Sequence, residues 1–379
     1  QFAITLFMVV GTLAVFMQLQ WLRTNDMGLR KENVLAIRMP QPHPEDTLAW
    51  DAIRPLKAEL ARESFVEGAA FTDFTPGGGT QRWVLRARTK DGVVDKPLPA
   101  MSCDADYPEL IGMQLSSGRM FDPNIPTDRT GSLVVNESLV RSFGFTDPLQ
   151  SMLYIPGDAK ADPPQPDQEF RIIGVVKDFH YASLHTPIEP LAIFPSDPRY
   201  GVNNLMVRLA PGDVRSQLAS LQARFKSVQP DAQWDATFLD DSIAKLYEAE
   251  DKLFRIFTAF AVLTIILTVM GLYGLAYFTA RQRTREIGVR RVMGASLFDI
   301  VKRLNREFVI LLVFALLVAF PLAFYAVGRW LETFAYHTDV PPLLYVVALL
   351  ITLLVTVLTV SIQAYRVAVA DPVKALRYE

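Results

Sequence analysis

ARQRTREIGVRRVMGAS, residues 280–296, stands between two long apolar runs. Before it comes FRIFTAFAVLTIILTVMGLYGLAYFT (254–279), and after it, past a short polar helix, FVILLVFALLVAFPLAFYAVG (308–328). Residues 2–21 and 343–362 form two further runs of the same kind. A helix rises about 1.5 Å per residue, so about 20 apolar residues cross the roughly 30 Å hydrocarbon core. Inside the four runs the only charge is Arg255, placed where it reaches the headgroups. A soluble core helix of such length carries a polar face, and these do not. The sequence is that of a polytopic membrane protein.

Charge orients it. Residues 280–307 carry Arg281, Arg283, Arg285, Arg290, Arg291, Lys302, Arg303 and Arg306 against Glu286, Asp299 and Glu307. The tail adds Arg366, Lys374 and Arg377, whereas residues 329–342 hold Arg329 and no lysine. The positive-inside rule places residues 280–307 and the C-terminus in the cytoplasm. Counting back through the second span puts the block at 22–252 outside. The chain opens on Gln1 and shows neither a basic n-region nor a small-residue cleavage site around residues 15–26. Residues 2–21 are therefore expected to be a retained helix, with polypeptide upstream of Gln1.

The outer block mixes charge, Pro and Gly with alternating apolar positions, enough for one α/β domain of two lobes. Strands are expected at 33–38, 65–71, 82–87, 132–136, 170–176, 205–209 and 234–239. Helices are expected at 47–64, with Pro55 as kink or start, at 137–143 closed by Gly144, and after an Asp213 N-cap. Residues 156–168 hold four prolines and read as an exposed loop. A last helix from Asp240 meets no Pro or Gly before the second span and predicts a continuous rod into the membrane.

Chemistry-bearing patterns are sparse. A net charge of −2 gives no sign of nucleic-acid binding. Cys103 is the single cysteine and reads as a small buried residue. Gly77-Gly78-Gly79 lacks a following Lys-Ser/Thr and is a turn, not a phosphate loop. His180 and His185 lie near Asp178 but lack the acidic partners of a metal site. No HExxH, CxxC or GxSxG appears, and no catalytic, cofactor-binding or metal-ligating residue is assigned.

The connector itself has a physical logic. Gly288 and Gly294 allow a sharp turn or close backbone approach. Ile287, Val289, Val292 and Met293 give an apolar face, and Arg281, Arg283, Arg285, Arg290 and Arg291 a charged one. Three uses fit such an element: lying on anionic lipid, fixing topology, or inserting into a cytoplasmic partner. The local role expected of Glu286 is an intrahelical pair with Arg283 or Arg290.

The segment closely resembles the coupling segment of FtsX-like ABC-transporter permeases, whose pattern runs R-x-x-E-I-G-[IV]-R-[RK]-x-[LM]-G-A. Arg283, Glu286, Ile287, Gly288, Val289, Arg290, Arg291, Met293, Gly294 and Ala295 fill it. IIGVVKDFHYASLHTPIEPLAIF (172–194) and FLDDSIAKLYEAEDKLFRIF (238–257) resemble the periplasmic core domain and stalk of MacB-type members. QFAITLFMVVGTL and AYRVAVADPVKALRYE resemble their first helix and C-terminus.

The resemblance implies three parts: a first transmembrane helix at 1–21, a MacB-like extracytoplasmic core domain with stalk at 22–252, and an FtsX-like permease domain at 253–379. It implies a bacterial inner-membrane permease half whose ATP is hydrolysed by a separate ABC ATPase subunit, since no Walker motif stands in this chain. A second permease unit, as tandem half or homodimer, is the expected companion. A membrane-fusion protein and an outer-membrane channel would join it in an exporter. Arg283, Glu286, Ile287, Gly288, Arg290, Arg291, Met293, Gly294 and Ala295 are implied to couple to the ATPase. Export of a hydrophobic compound, peptide or lipoprotein is one implied activity. The alternative is a mechanotransmitting regulator or sensor that translocates nothing.

Overall fold

In the computed structural model, residues 1–24, 27–40, 47–89, 92–157, 165–196, 202–283, 286, 289, 293, 294 and 296–369 are described. The chain divides into an outer unit, Asn25–Leu246, and a helical unit formed by Gln1–Thr24 with Tyr247–Glu379.

Two hydrophobic cores organise the outer unit. In the first, β1 (Val34–Arg38), β2 (Val66–Thr72), β10 (Asn204–Leu209) and β11 (Ala236–Phe238) form an antiparallel sheet in the order β11–β1–β10–β2. Helices α2 (Thr47–Leu60) and α5 (Val214–Val228) pack on it through Ile53, Leu56, Leu60, Leu221 and Phe225 against Leu35, Ile37, Phe71 and Leu205. Asp213 caps α5 by accepting the Arg215 N–H at 3.2 Å, as its sequence position predicts. Pro55 lies inside α2, so it neither starts nor ends the helix.

The second core is a closed barrel. Strands β3 (Gln81–Thr89), β4 (Gly92–Cys103), β6 (Ser132–Asn136), β7 (Met152–Ile155), β8 (Gln168–Val176) and β9 (Ala192–Pro195) pair in the order β4–β3–β7–β8–β6–β9. Parallel pairing of β9 with β4 closes the ring. Period-two alternation fills the interior with Leu85 and Ala87, Leu98 and Ala100, Leu133 and Val135, Phe170 and Ile172, Ala192 and Phe194. Strand β5 (Leu115–Gly118) pairs antiparallel with the C-terminal end of β8. The short helix α3 (Tyr107–Leu110) follows β4.

Helix α4 (Glu137–Phe143) contributes Leu139 and Phe143 to the barrel core. Fully buried Asn136 starts it: its Oδ1 accepts from Leu139 N–H at 2.9 Å and Leu191 N–H at 2.8 Å, and its amide donates to the Glu189 carbonyl at 3.0 Å. Gly144 ends it at φ 68°. The sheet meets the barrel through one register pair between β2 and β4, Thr72 with Cys103. The Cys103 thiol is buried there, and burial pushes its pKa up.

The helical unit contains α1 (Phe2–Thr24), α7 (Glu248–Gln282), α8 (Leu297–Leu331) and α9 (Pro342–Val369), each long and apolar enough to cross a membrane. Half of the most apolar window of α1 is buried against 11% for α7, which places α1 at the centre of the bundle. A Cβ on Gly11 would meet the Phe257 ring at 2.6 Å, so α1 and α7 approach closely there. Thr5 and Thr268 share a hydrogen bond of 2.8 Å between the same helices. Buried Gln18 of α1 accepts the Thr338 N–H at 3.0 Å, tying α1 to the α8–α9 connection.

Two helix expectations are corrected. The expected rod into the second span is broken: α6 (Leu239–Lys245) ends at Leu246, Tyr247 leaves helical geometry at φ −110°, ψ 17°, and α7 begins at Glu248. Glu248, Glu250 and Asp251 in its first turn complement a new helix N-terminus, so the sequence favours a fresh start there. Conversely, the polar stretch after the connector is no separate helix but the first turns of the 35-residue α8.

Candidate coupling site

The site is the turn between α7 and α8. Helix α7 runs to Gln282, and Arg283 is its C-cap at φ −99°. The Arg283 guanidinium donates to Glu307 Oε1 on α8 at 2.6 Å. The carboxylate of Glu286 lies 4.0 Å from the Arg303 guanidinium, again on α8. The hydrogen bond to Glu307 and the charge of that carboxylate raise the pKa of Arg283.

The Met293 N–H donates to the Val289 carbonyl at 3.0 Å. Gly294 then takes φ +94°, a conformation that side chains disfavour. Ser296 starts α8 with a capping box. Its Oγ accepts the Asp299 N–H at 3.2 Å, and Asp299 Oδ2 accepts the Ser296 N–H at 3.3 Å.

Packing and hydrogen bonding anchor the α8 end of this turn. Ile300, Leu304 and Phe308 of α8 pack on Leu272 and Ala276 of α7 and on Val360 and Ala364 of α9. Asn305 donates to Ser361 Oγ at 3.0 Å, binding α8 to α9 at the same level. Val289 is 49%, Met293 83% and Phe298 71% exposed.

Of the residues singled out by sequence, Arg283, Glu286, Met293 and Gly294 meet at this turn; Ile287, Gly288, Arg290, Arg291 and Ala295 lie outside the described residues. The structure adds partners on α8 to the local pair expected of Glu286 with Arg283 or Arg290: Arg283 bonds to Glu307 while still feeling the Glu286 charge, Arg303 faces Glu286, and Arg290 lies outside the described residues. Sequence reasoning missed Arg303 and Glu307. Their opposite charges at i,i+4, facing an Arg and a Glu at i,i+3 across a tight turn, were the signal available.

Elsewhere, His180 is half-buried with its pKa lowered by burial. Among the described residues no three His, Cys, Asp or Glu side chains gather to hold a metal ion.

Comparison with known proteins agrees with this layout. The family model of the MacB-like periplasmic core domain matches residues 2–223, and that of the FtsX-like permease C-terminal matches residues 258–372. The macrolide export ATP-binding/permease protein MacB of Escherichia coli (strain K12) is 24% identical over 325 residues, covering 79% of this chain and 47% of the relative. The protein of the same name from Shigella flexneri gives the same identity and coverage. This chain thus spans about half the length of the curated relatives it matches. The periplasmic region of MacB from Actinobacillus actinomycetemcomitans aligns with a TM-score of 0.39 at 15% identity, covering 59% of this chain and 96% of that one. With more than half its length matched by the periplasmic core model and its last three helices by the permease model, the chain belongs to the MacB/FtsX type of ABC-transporter permeases.

Proposed function

We propose that this chain couples ATP hydrolysis on a partner ABC ATPase to rearrangement of its outer unit, and that it does so in a bacterial inner membrane. The observation that carries this reading is the turn at 283–296, where Met293, flanked by Val289 and Phe298, stands out from a base of packed and bonded helices. A force-receiving element needs that combination: an apolar contact surface and a rigid mount. Arginine density keeps the turn on the cytoplasmic side, where an ATPase would meet it.

The export class is a hydrophobic compound, peptide or lipoprotein, supported by relatives whose name states macrolide export. A second permease unit completes the machine, joined in an exporter by a membrane-fusion protein and an outer-membrane channel.

The test is reconstitution of the full protein with its ATPase and measurement of hydrolysis and cargo movement together. Glu286→Lys and Gly294→Val are expected to insert normally while hydrolysis no longer drives transport. Full activity of both variants, or degradation of both, overturns the assignment of this segment. ATP-driven activation of a cell-wall hydrolase or a response to antimicrobial peptide, with no cargo moved, overturns export in favour of regulation or sensing.

A further inference from the structure

Arg283 and Glu286 stand three residues apart, and Arg303 and Glu307 four apart. At about 1.5 Å per residue the two spacings measure roughly 4.5 and 6 Å along a helix, close enough to pair rung against rung. They pair in crossed order, Arg283 with Glu307 at 2.6 Å and Glu286 with Arg303 at 4.0 Å, as two antiparallel segments must.

We propose that Arg303 and Glu307 are positioning residues for energy coupling, forming with Arg283 and Glu286 a crossed charge brace that fixes the connector to α8. A push on the connector then tilts α8 instead of bending the turn. Helix α8 passes the motion to α9 through the Asn305–Ser361 hydrogen bond and the packing of Leu304 and Phe308 against Val360 and Ala364. The brace uses both charged members at the start of the family pattern within this chain. Among the described residues of the connector and the start of α8, the apolar ones exposed for the ATPase are Val289, Met293 and Phe298.

The four side chains are between 38% and 60% exposed, so water screens both pairs and their loss leaves folding intact. What they supply is direction. Two rungs prevent the rotation about a single contact that one rung would permit.

The proposal rests on the coupling reading above, so its test carries one readout that needs no ATPase. In the full protein with Cys103→Ala, spin labels at Gln282→Cys and Lys302→Cys report the α7–α8 separation by dipolar EPR. The unaltered brace gives a narrow distance distribution, which Glu307→Gln and Arg303→Gln each broaden. In the complex with the ATPase these two variants lower ATP-driven transport by about tenfold, within the usual range of coupling between sites. Co-purification of the ATPase and its basal hydrolysis stay unchanged. The charge-reversed pair Arg283→Glu with Glu307→Arg restores both the narrow distribution and transport.

Broadened distances with undiminished transport overturn the proposal while leaving the ATPase reading intact. Failure of the reversed pair to restore either readout also overturns it. If transport by the unaltered protein does not depend on the connector at all, the functional reading falls, and the brace as a coupling device falls with it.

Discussion

Asp73 and Ser102 bond to each other twice, the Asp73 N–H donating to the Ser102 carbonyl at 3.1 Å and the Ser102 N–H to Asp73 Oδ1 at 2.7 Å. Asp104 repeats the arrangement on Phe71, with distances of 3.0 and 2.9 Å, on the other side of the Thr72–Cys103 register pair. Two carboxylates thus clasp the sheet of the outer unit to its barrel. Lys57 sits 2.6 Å from Asp104. Burial pushes the Asp73 carboxyl up to about 6, against bonds from Ser102 that pull it down.

Burial of Asp73 adds an inverted pH dependence to the stability of the outer unit. A carboxyl raised in the folded state stabilises fully below its unfolded pKa of about 4, and that contribution is lost as pH rises through about 6. A shift of this size corresponds to about 3 kcal/mol at most. Burial raises Asp104 as well, with Lys57 opposing, so it acts in the same direction. Urea unfolding of a fragment covering 27–246 should therefore be cooperative. Relative to Asp73→Asn, the unaltered fragment should gain stability from pH 7 to pH 4.5. A relative loss over that range contradicts the assignment.

Gly118 and Gly144 both take positive φ, but only one is enclosed. A Cβ on Gly118 would stand 2.3 Å from the Ile173 carbonyl oxygen, whereas Gly144 has open space. Gly118→Ala is expected to cost about 3 kcal/mol and Gly144→Ala about 1. Urea midpoints of the same fragment read the difference, and equal midpoints would show that β5 does not seat on β8 as described.

At Gly294 the same logic separates backbone from space. Among the described residues nothing lies within 4 Å of the position a Cβ would take, so φ +94° alone disfavours a side chain, by about 1–2 kcal/mol. Asn tolerates positive φ better than a β-branched residue. Gly294→Asn should keep more ATP-driven transport than Gly294→Val at equal expression. The opposite ranking would mean that bulk against a partner, not the turn, governs this position.

Orientation is checked by labelling intact cells with a membrane-impermeant maleimide. Val93→Cys is 63% exposed in the outer unit and should label; Met293→Cys should label only after the membrane is opened. Native Cys103, fully buried, stays silent in both. Labelling of Met293→Cys from outside would reverse the topology.

Most elements whose side chains alternate or repeat within a single segment were legible in the sequence. The helix at 137–143 with its Gly144 stop, the Asp213 cap and the four long apolar helices are local patterns, and each stands as read. Strands β4, β5, β7 and β9 were not legible. Pro97 and Pro99 interrupt β4, while β5, β7 and β9 are four residues long and owe their state to partners distant in sequence. Barrel closure rests on the β4–β9 pairing across some ninety residues, a contact no local pattern encodes. At the coupling turn the motif residues were legible, but their bonding was not. Glu286 read as a local partner of Arg283 or Arg290, and only folding of α8 back along α7 adds Glu307 and Arg303.

The central claim is that the turn at 283–296 receives force from an ATPase through its exposed apolar residues. A photo-crosslinking amino acid at Met293, in the full protein assembled with its ATPase, tests it most directly. The account predicts a crosslink to the ATPase subunit whose yield changes between ATP-bound and nucleotide-free states, with no such product from Val93. Crosslinks from Met293 to lipid alone, or to the ATPase with a yield indifferent to nucleotide, would contradict it.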